Sequence, residues 1–315
     1  MKALITDAVY EGIEQELKKY MEVETTGGEP LSKEELIAKI GDVDILIMRV
    51  DPKIDKEILD AAKNLKFIGV CAVGLNHIDM DCAKAKGIQV FNAPGMNANA
   101  VAELTIAKML EISRHTIPAN NDVKINHIWD KYKYVGHELR GKTLGIMGFG
   151  RIGRRVGELG RAFKMEIVAY DPYLKPEQFE AGGAKGMTVD ELIKVSDFIS
   201  IHVPLTEETK NLFNKKSIAE MKDGAVVLNM SRGGIVNEKD MYEALKEGRI
   251  GGYGADVLEN ELEGTGLGEE NKFNNPLFEC DNFVVTPHLG AQTVDASRDI
   301  GNFIIGKVKE AFQLQ

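Results

Sequence analysis

The chain has 315 residues and carries 39 Lys and Arg against 49 Asp and Glu, which gives a formal net charge of −10 at pH 7. A chain this acidic, without a basic cluster or an apolar run of about 20 residues, is not expected to bind nucleic acid or to enter a membrane. Its cysteines, Cys71, Cys82 and Cys280, form no CxxC pair, so we expect no disulfide frame, no metal site and a location in the reducing cytoplasm.

The first third of the chain alternates short apolar runs with helical patterns. Four apolar runs predict buried strands, at 3–6, 43–48, 67–71 and 89–91. Between the first two strands, Ser32 is followed three residues later by Glu35. This capping-box pattern predicts the start of a helix.

The same alternation restarts at Lys142 and continues through most of the remaining chain. Predicted strands lie at 143–147, 166–170, 198–203, 225–229 and 252–255. Predicted helices lie at 154–162, 188–195, 216–221 and 238–247. Apolar strands that alternate with helices form parallel sheets, with right-handed crossovers between the strands. The sequence therefore predicts an α/β protein with two doubly wound parallel-sheet domains.

The boundary between the two predicted domains lies near a loop with the sequence Asn-Ala-Pro-Gly, within 92–97. An apolar helical pattern at 297–312 closes the chain, and we expect this helix to pack back on the first domain. The first domain is therefore predicted to contain 1–98 plus 289–315, and the second to contain 99–288. Since the chain would cross twice between them, a cleft is expected between the domains.

A glycine-rich turn follows the predicted strand at 143–147, with Gly148, Gly150 and Gly153 in G-x-G-x-x-G spacing. In this pattern the first glycine permits a tight turn, the second lets the backbone approach a pyrophosphate, and the third lets the helix pack on the sheet. Asp171 ends the next predicted strand, about 20 residues further on, where a carboxylate accepts the ribose hydroxyls of NAD and repels the 2′-phosphate of NADP. The pattern predicts an NAD site, against the alternative of a glycine-rich turn without a ligand.

Three polar residues near predicted strand ends are candidates for chemistry. His288 lies beside a proline that restricts the backbone, and an imidazole exchanges protons near neutral pH. Arg232 can grip a carboxylate through two hydrogen bonds. Glu261 can fix the tautomer of His288 and raise its pKa. Taken singly, each is also typical of an ordinary polar surface residue, and only their combination with a nucleotide domain is specific.

Over nearly its whole length, the chain resembles the D-isomer-specific 2-hydroxyacid dehydrogenase family, which includes D-3-phosphoglycerate, glycerate/hydroxypyruvate and D-lactate enzymes. The motifs that carry the resemblance are AVGLNHID at 72–79, NAPG at 92–95, VAE at 101–103, GKTLGIMGFGRIG at 141–153, HVPLT at 202–206, NMSRGG at 229–234, DVLENE at 256–261 and TPHLG at 286–290. The resemblance implies an NAD-dependent oxidoreductase with two Rossmann-like domains, of which the flavodoxin-like first domain binds the substrate.

The resemblance also implies roles for individual residues. Arg232 would hold the substrate carboxylate, His288 would be the acid/base, and Glu261 would be the partner of His288. Asp256 would contact the nicotinamide amide. The implied cofactor-binding residues are Gly148, Gly150, Arg151, Ile152, Gly153, Asp171, His202, Pro204 and Asp256.

In the first domain, the resemblance implies substrate contacts from the backbone at Val73 and Gly74 and from Arg49. Arg49 matches an arginine that phosphoglycerate enzymes use for the substrate phosphate. Val70 stands where some of those enzymes have a second arginine, which weighs against phosphoglycerate. Leu262 replaces the family's usual proline, and 263–275 is longer than usual, so we expect a different loop shape before His288.

The expected substrate is a small 2-oxo or 2-hydroxy acid, such as hydroxypyruvate or glycerate, glyoxylate, pyruvate or D-lactate, or 3-phosphoglycerate. The alternatives are an NAD-sensing module of the corepressor type and a phosphite dehydrogenase. Because family members are commonly dimers through the nucleotide domain, we expect a homodimer. The segment 128–135, which contains the sole Trp of the chain, lies where that contact would form.

Overall fold

The structure is a computed structural model that describes residues 1–261 and 274–314. The chain forms two compact units. The first unit contains Met1–Asn97 and the chain from Gln292 onward, and the second contains Ala98–Glu261 and the described residues up to Ala291. Each unit is built on a parallel sheet, which confirms the predicted α/β class with two doubly wound domains. The assignment of substrate binding to one domain and NAD binding to the other stays a prediction.

Within the described residues, the first unit has a five-stranded parallel sheet in the order β2-β1-β3-β4-β5. Its strands are β1 (Lys2–Ile5), β2 (Glu22–Thr25), β3 (Ile45–Met48), β4 (Phe67–Val70) and β5 (Gln89–Asn92). This is the flavodoxin-like order, in which the winding direction reverses between β1 and β3. The sequence analysis missed β2, because this edge strand alternates polar and apolar residues and contains no apolar run.

Four of the five described helices of the first unit begin at a side chain that accepts hydrogen bonds from their first backbone N–H groups, and the first helix of the chain has no such cap. They are α1 (Gly12–Leu17), α2 (Lys33–Lys39), α3 (Lys56–Ala61), α4 (Met80–Ala85) and the C-terminal helix (Val294–Phe312). Ser32 and Glu35 form the predicted capping box at α2, since each side chain accepts a hydrogen bond from the other residue's N–H. The carboxylates of Asp55 and Asp79 cap α3 and α4. Such caps satisfy donors that have no partner inside the helix.

The described strands of the second unit form a seven-stranded parallel sheet in the order β12-β11-β10-β9-β6-β7-β8. They are β6 (Thr143–Met147), β7 (Glu166–Tyr170), β8 (Lys185–Gly186), β9 (Phe198–Ile201), β10 (Ala225–Asn229), β11 (Ile250–Ala255) and β12 (Phe283–Val285). Counted from β6, this is the Rossmann order 3-2-1-4-5-6 with one further strand at the edge. The winding direction therefore reverses between β6 and β9.

The helices of the second unit lie around this sheet. They are α5 (Ala98–Arg114), α6 (Thr116–Lys124), α7 (Arg151–Ala162), α8 (Pro176–Ala181), α9 (Val189–Val195), α10 (Lys215–Ala219) and α11 (Glu238–Lys246). The first of them, α5, packs on α7 and on β10, β11 and β12. The helix α7 begins at Arg151 rather than at residue 154, because the glycine-rich turn continues directly into it.

The C-terminal helix packs on the sheet of the first unit, as expected from the sequence. Ile304 on this helix is fully buried and belongs to a cluster with Ile47 and Phe67. At Gly69 on β4, an added Cβ would lie 2.7 Å from the Ile304 side chain. The helix therefore approaches β4 this closely because Gly69 has no side chain.

In residues 1–261 and 274–314, no helix is long and apolar enough to cross a membrane. The same residues hold no group of three or more His, Cys, Asp or Glu side chains that could bind a metal ion.

We expect Ile304→Ala to lower the free energy of unfolding of the first unit by about 2 to 5 kcal/mol, because the cavity forms where the surrounding side chains cannot collapse. Val294→Ala, in the same helix at a side chain that is 81% exposed, is the control and should change it by less than about 0.5 kcal/mol. Urea unfolding of the two variants measures the difference. Equal effects would show that the C-terminal helix does not contribute its buried face to this core.

Candidate functional site

The turn between β6 and α7, together with the start of α7, contains three glycines, and one of them, Gly150, faces space that no protein atom fills. At Gly148, φ is +90°, and an added Cβ would lie 2.8 Å from the His202 carbonyl oxygen. At Gly153, an added Cβ would lie 2.1 Å from the Gly148 carbonyl oxygen, so only glycine lets α7 pack this closely. At Gly150, by contrast, an added Cβ would meet no protein atom within 4 Å. The space in front of Gly150 can therefore admit a ligand that approaches the backbone.

The first turn of α7 also offers hydrogen-bond donors to that space. Gly150 is the residue before the helix and supplies no side-chain cap, so the first N–H groups of α7 have no intrahelical partner. Free N–H groups at a helix N-terminus bind phosphate well. The first helical residue, Arg151, has an exposed side chain, whereas Ile152 packs on the core of the second unit.

Asp171 lies beside this turn, because it follows β7, the neighbour of β6. Its Oδ2 accepts a hydrogen bond from the Phe149 N–H at 3.0 Å, and its Oδ1 accepts one from the Tyr173 N–H at 3.0 Å. A carboxylate oxygen has a second lone pair in each case. The carboxylate is thus fixed in orientation and still able to accept hydroxyl donors.

A buried carboxylate, that of Asp256, holds the loop that carries His288. Asp256 follows β11 and is 3% exposed. Its side chain accepts hydrogen bonds from the Thr286 hydroxyl (2.6 Å), the Leu289 N–H (2.8 Å) and the Gly290 N–H (2.7 Å). Its carbonyl accepts the His288 N–H at 2.9 Å. These bonds keep His288 at φ +54°, a left-handed conformation that side-chain-bearing residues seldom adopt.

His288 and Glu261 are in contact, with 3.2 Å between Nδ1 and Oε1. The hydrogen bond that His288 donates to the Glu261 carboxylate raises the pKa of His288, and the charges of Glu261 and Asp256 add to the rise. Burial and the positive charge of Arg232 act in the opposite direction. Because Nδ1 is engaged by Glu261 and the side chain is 52% exposed, Nε2 is the nitrogen that can exchange a proton with a ligand.

The turn that carries Arg232 packs directly on the segment that carries Glu261. At Gly233, an added Cβ would lie 2.1 Å from the carbonyl oxygen of Leu258. Backbone therefore meets backbone at this point, and a side chain at Gly233 would separate the two segments. The consequence is that Arg232 and Glu261 depend on each other's loops for their positions.

Asn229, the last residue of β10, braces the same turn from below. Its side chain donates to the Arg232 carbonyl at 2.9 Å and accepts from the Ser231 N–H at 3.2 Å. The Arg232 side chain is exposed, and its charge acts on His288. Since β10, β11 and β12 are neighbours in the sheet, the turns after them bring together Arg232, Glu261 and His288.

A second carboxylate, which the sequence analysis did not single out, anchors the segment before Glu261. Glu238 at the start of α11 accepts a hydrogen bond from the Glu259 N–H at 2.6 Å and another from the Asn275 side chain at 2.7 Å. Burial raises the pKa of Glu238. No local sequence signal marks it, because its partners lie more than 20 residues away.

His202 and Pro204 follow β9, which pairs with β6 beside the glycine-rich turn. The His202 N–H donates to the Met147 carbonyl at 2.7 Å, and its Nε2 lies 2.7 Å from the Ser200 hydroxyl. Burial lowers the pKa of His202 to about 3, so its ring is neutral at physiological pH. Pro204 is exposed at the same edge of the sheet.

The remaining predicted substrate residues belong to the first unit. Arg49 directly follows β3, and its charge acts on Asp7, which lies after β1. Arg49 thus lies at the point where this sheet reverses its winding, which is where ligands bind in such sheets. After β4, Val73 has an exposed side chain and a carbonyl that accepts from the Asn92 side chain at 2.5 Å. An added Cβ at Gly74 would meet no atom within 4 Å.

The loop shape expected for Leu262 and the longer 263–275 segment falls, up to residue 273, outside the described residues. The segment 128–135 is described, and several of its large apolar side chains are exposed. Its Trp129 side chain is 86% exposed.

Residues 106–290 match the family model described as D-isomer specific 2-hydroxyacid dehydrogenase, NAD binding domain. The chain is similar to the hydroxypyruvate reductase of Thermotoga maritima, with 41% identity over 304 residues that cover 96% of each protein. It is also similar to the D-3-phosphoglycerate dehydrogenase of Methanocaldococcus jannaschii, with 40% identity over 99% of this chain and 58% of that protein. The chain thus spans less than three fifths of the length of that relative.

Among solved structures, the D-lactate dehydrogenase from Aquifex aeolicus, complexed with NAD and lactic acid, is similar. Its TM-score is 0.80 at 29% sequence identity, and the match covers 99% of this chain and 96% of that chain. The structural similarity therefore extends over nearly all of both chains.

We expect Gly150→Ala to weaken NAD binding at least about tenfold while leaving the melting temperature unchanged, because a Cβ at this position meets ligand space and no protein atom. Gly153→Ala is the matched comparison in the same turn. It should lower stability by about 1 to 3 kcal/mol, since its Cβ would overlap the Gly148 carbonyl. Calorimetric titration with NAD and thermal unfolding separate the two effects. A Gly150→Ala protein that binds NAD normally would remove this turn from the cofactor site.

Proposed function

Because the chain belongs to the D-isomer specific 2-hydroxyacid dehydrogenase family, we propose that it interconverts a D-2-hydroxy acid and its 2-oxo acid by NAD-dependent hydride transfer. The observation that carries the proposal is the convergence of Arg232, Glu261 and His288 after three neighbouring strands. In doubly wound sheets, ligands bind at the carboxyl ends of the strands. This edge of the second unit therefore has both the position and the side chains for the reaction.

The residues of the second unit suit NAD as the cofactor. The space at Gly150 and the N-terminus of α7, with its positive dipole end, suit a pyrophosphate, and the oriented carboxylate of Asp171 suits a ribose diol. When bound there, the cofactor would supply the hydride acceptor for oxidation of the hydroxy acid and, in its reduced form, the hydride donor for reduction of the oxo acid.

Each of the three polar groups has a separate task in this proposal. Arg232 binds the substrate carboxylate through its guanidinium and orients the reacting carbon. In the reducing direction, Nε2 of His288 donates a proton to the carbonyl oxygen as negative charge develops there. Glu261 keeps His288 in the required tautomer and stabilises its protonated form. In the oxidising direction, His288 removes the hydroxyl proton.

The substrate class follows from Arg232 and from the first unit. A 2-oxo or 2-hydroxy acid presents one carboxylate to Arg232. In the first unit, the backbone at Val73 and Gly74 is assigned to substrate binding. Arg49 is assigned to the substituent beyond the reacting carbon. Hydroxypyruvate or glycerate, glyoxylate, pyruvate or D-lactate, and 3-phosphoglycerate all fit this description, with substrate binding assigned to 1–98 plus 289–315 and NAD binding to 99–288.

A panel of 2-oxo acids with NADH tests this function, with the decrease in NADH absorbance as the measurement. We expect turnover of at least one of hydroxypyruvate, glyoxylate, pyruvate and phosphohydroxypyruvate, and loss of that turnover in His288→Ala while NADH still binds. NAD binding without turnover of any of them would favour the NAD-sensing, corepressor-type alternative. Oxidation of phosphite with NAD, in place of the hydroxy acids, would favour a phosphite dehydrogenase.

The proposal includes a homodimer in the cytoplasm. Several large apolar side chains are exposed near the end of α6 and after it, namely Ile125, Ile128, Trp129, Tyr132 and Val135. A cluster of this kind on a water-exposed surface is typical of a protein–protein contact. Cys71, Cys82 and Cys280 are free thiols, which suits a reducing compartment.

We expect Glu261→Gln to move the pH dependence of kcat/KM to lower pH. Glu261 raises the pKa of His288, so its removal lowers that pKa. Reduction needs protonated His288 and falls as pH rises through this pKa, whereas oxidation needs the neutral form and rises there. Both limbs should therefore shift in the same direction, as measured by pH profiles in each direction.

The control for this shift is Glu259→Gln, which removes a carboxylate from the same segment without contact to His288. Its pH profiles should match those of the unchanged protein. Identical profiles for the Glu261 and Glu259 variants would contradict the assigned partnership of Glu261 and His288.

We expect Trp129→Glu to dissociate the homodimer, because it places a charge at the centre of the exposed apolar cluster. Tyr173→Glu replaces an aromatic side chain that is similarly exposed elsewhere, and it should leave the dimer intact. Sedimentation velocity at micromolar concentration measures the oligomeric state. If the unchanged protein is a monomer, the proposed homodimer is wrong. If both variants remain dimers, the dimer contact lies elsewhere on the surface.

A further inference from the structure

Lys108, on α5, is a lysine whose charged end is buried. Its relative exposure is 0%, and its Nζ has no hydrogen-bond partner among the described residues. Burial of an unpaired ammonium is strongly unfavourable unless a nearby opposite charge offsets it. An apolar side chain such as methionine or leucine would fill this buried position without that cost, so the presence of a lysine needs an explanation.

The location of Lys108 relates it to Asp256. The helix α5 crosses β11 so that Ile112 faces Gly252, Lys108 faces Gly254, and Val101 faces Gly290; a Cβ added at Gly254 would lie 3.4 Å from the Lys108 Cβ. Side chains of a helix lean toward its N-terminus. For Lys108, that direction leads along β11 to its carboxyl end, where Asp256 follows the strand.

The charges around Lys108 agree with this placement. Burial lowers the pKa of Lys108, and the negative charges of Glu111 and Asp256 oppose that effect. Glu111 lies on α5 itself. The facing helix α7 contributes Arg155, which is bound by Asn99 at the other end of α5 and by Glu158. Asp256 and Glu111 are therefore the anions that act on the Lys108 ammonium.

Asp256 in turn has no cation bound to it. Its carboxylate accepts from neutral donors of the His288 loop, and none of the ion pairs in residues 1–261 and 274–314 includes it. Lys108 is thus a buried cation whose charge and that of this carboxylate act on each other.

We propose that Lys108 is a positioning residue that sets the relative affinity for the oxidised and reduced cofactor, by offsetting the charge of Asp256. This inference rests on the proposed function. The nicotinamide ring is positively charged in NAD⁺ and neutral in NADH, so an uncompensated carboxylate beside it favours NAD⁺. The Lys108 ammonium reduces this preference and makes binding of NADH competitive.

The test uses the full chain and compares the Kd for NAD⁺ with the Kd for NADH, both measured by calorimetric titration. Lys108→Met keeps the length of the side chain and removes its charge. We expect the ratio of the Kd for NADH to the Kd for NAD⁺ to increase about three- to tenfold. A purely structural role would instead weaken both complexes equally, and an unchanged ratio would overturn the inference.

Glu111→Gln provides a second variant at a partly exposed position, so it tests the inference even if Lys108→Met does not fold. Removal of Glu111 favours the neutral amine of Lys108. In the unchanged protein, the Kd ratio should rise with pH as Lys108 loses its proton, and Glu111→Gln should move this rise to lower pH. His288 is present in every variant, so its titration contributes equally to each pH series and does not account for a difference between them. The same pH dependence with and without Glu111 would overturn the inference.

The proposed function can fail separately in this experiment. If neither NAD⁺ nor NADH binds to the unchanged chain, the cofactor assignment is wrong. If both bind and the ratio does not respond to either substitution, only the role of Lys108 is wrong.

Discussion

The buried carboxylate of Asp256 is the constraint on which the candidate site depends. It joins two loops, because its side chain binds donors at Thr286, Leu289 and Gly290 while its own N–H donates to the Asn229 carbonyl at 3.0 Å. Asn229 uses its side chain to brace the Arg232 turn. A single residue after β11 therefore connects the loop after β12 to the turn after β10. Without it, the loop that holds His288 in a left-handed conformation would lose the hydrogen bonds at Thr286, Leu289 and Gly290.

Close backbone contacts at two glycines also position the candidate site. Gly153 lets α7 reach the strand that precedes it, and Gly233 lets one loop of the site lie against another. In both cases a carbonyl oxygen occupies the volume of the missing side chain. Polar side chains can then project from closely packed backbone, which limits their freedom before any ligand binds.

The sequence predicted the features that have local signals. The glycine turn, Asp171 and the capping box at Ser32 depend on residues a few positions apart or on one strand-to-strand spacing, and the fold class follows from the alternation of apolar runs. The edge strands β2 and β8 were missed, because short or polar edge strands leave little pattern. Three further features could not be predicted either: the hydrogen bonds of the Asp256 carboxylate to the His288 loop, the hydrogen bonds of Glu238 and the burial of Lys108. Each depends on contacts between distant parts of the chain, and on a helix Lys108 is indistinguishable from an exposed lysine.

The carboxylate of Glu238 has a consequence for how this part of the molecule can vary. It accepts hydrogen bonds from Glu259 and from Asn275. The two ends, or stems, of the stretch between these residues are therefore bound to the start of the same helix, α11. For a stretch closed in this way, the entropy of closure changes only slowly with length. Insertions and deletions between the stems are therefore tolerated without displacing Glu261 on one side or the strand leading to His288 on the other. Variation in the length of this stretch is thereby uncoupled from the geometry of the reacting groups.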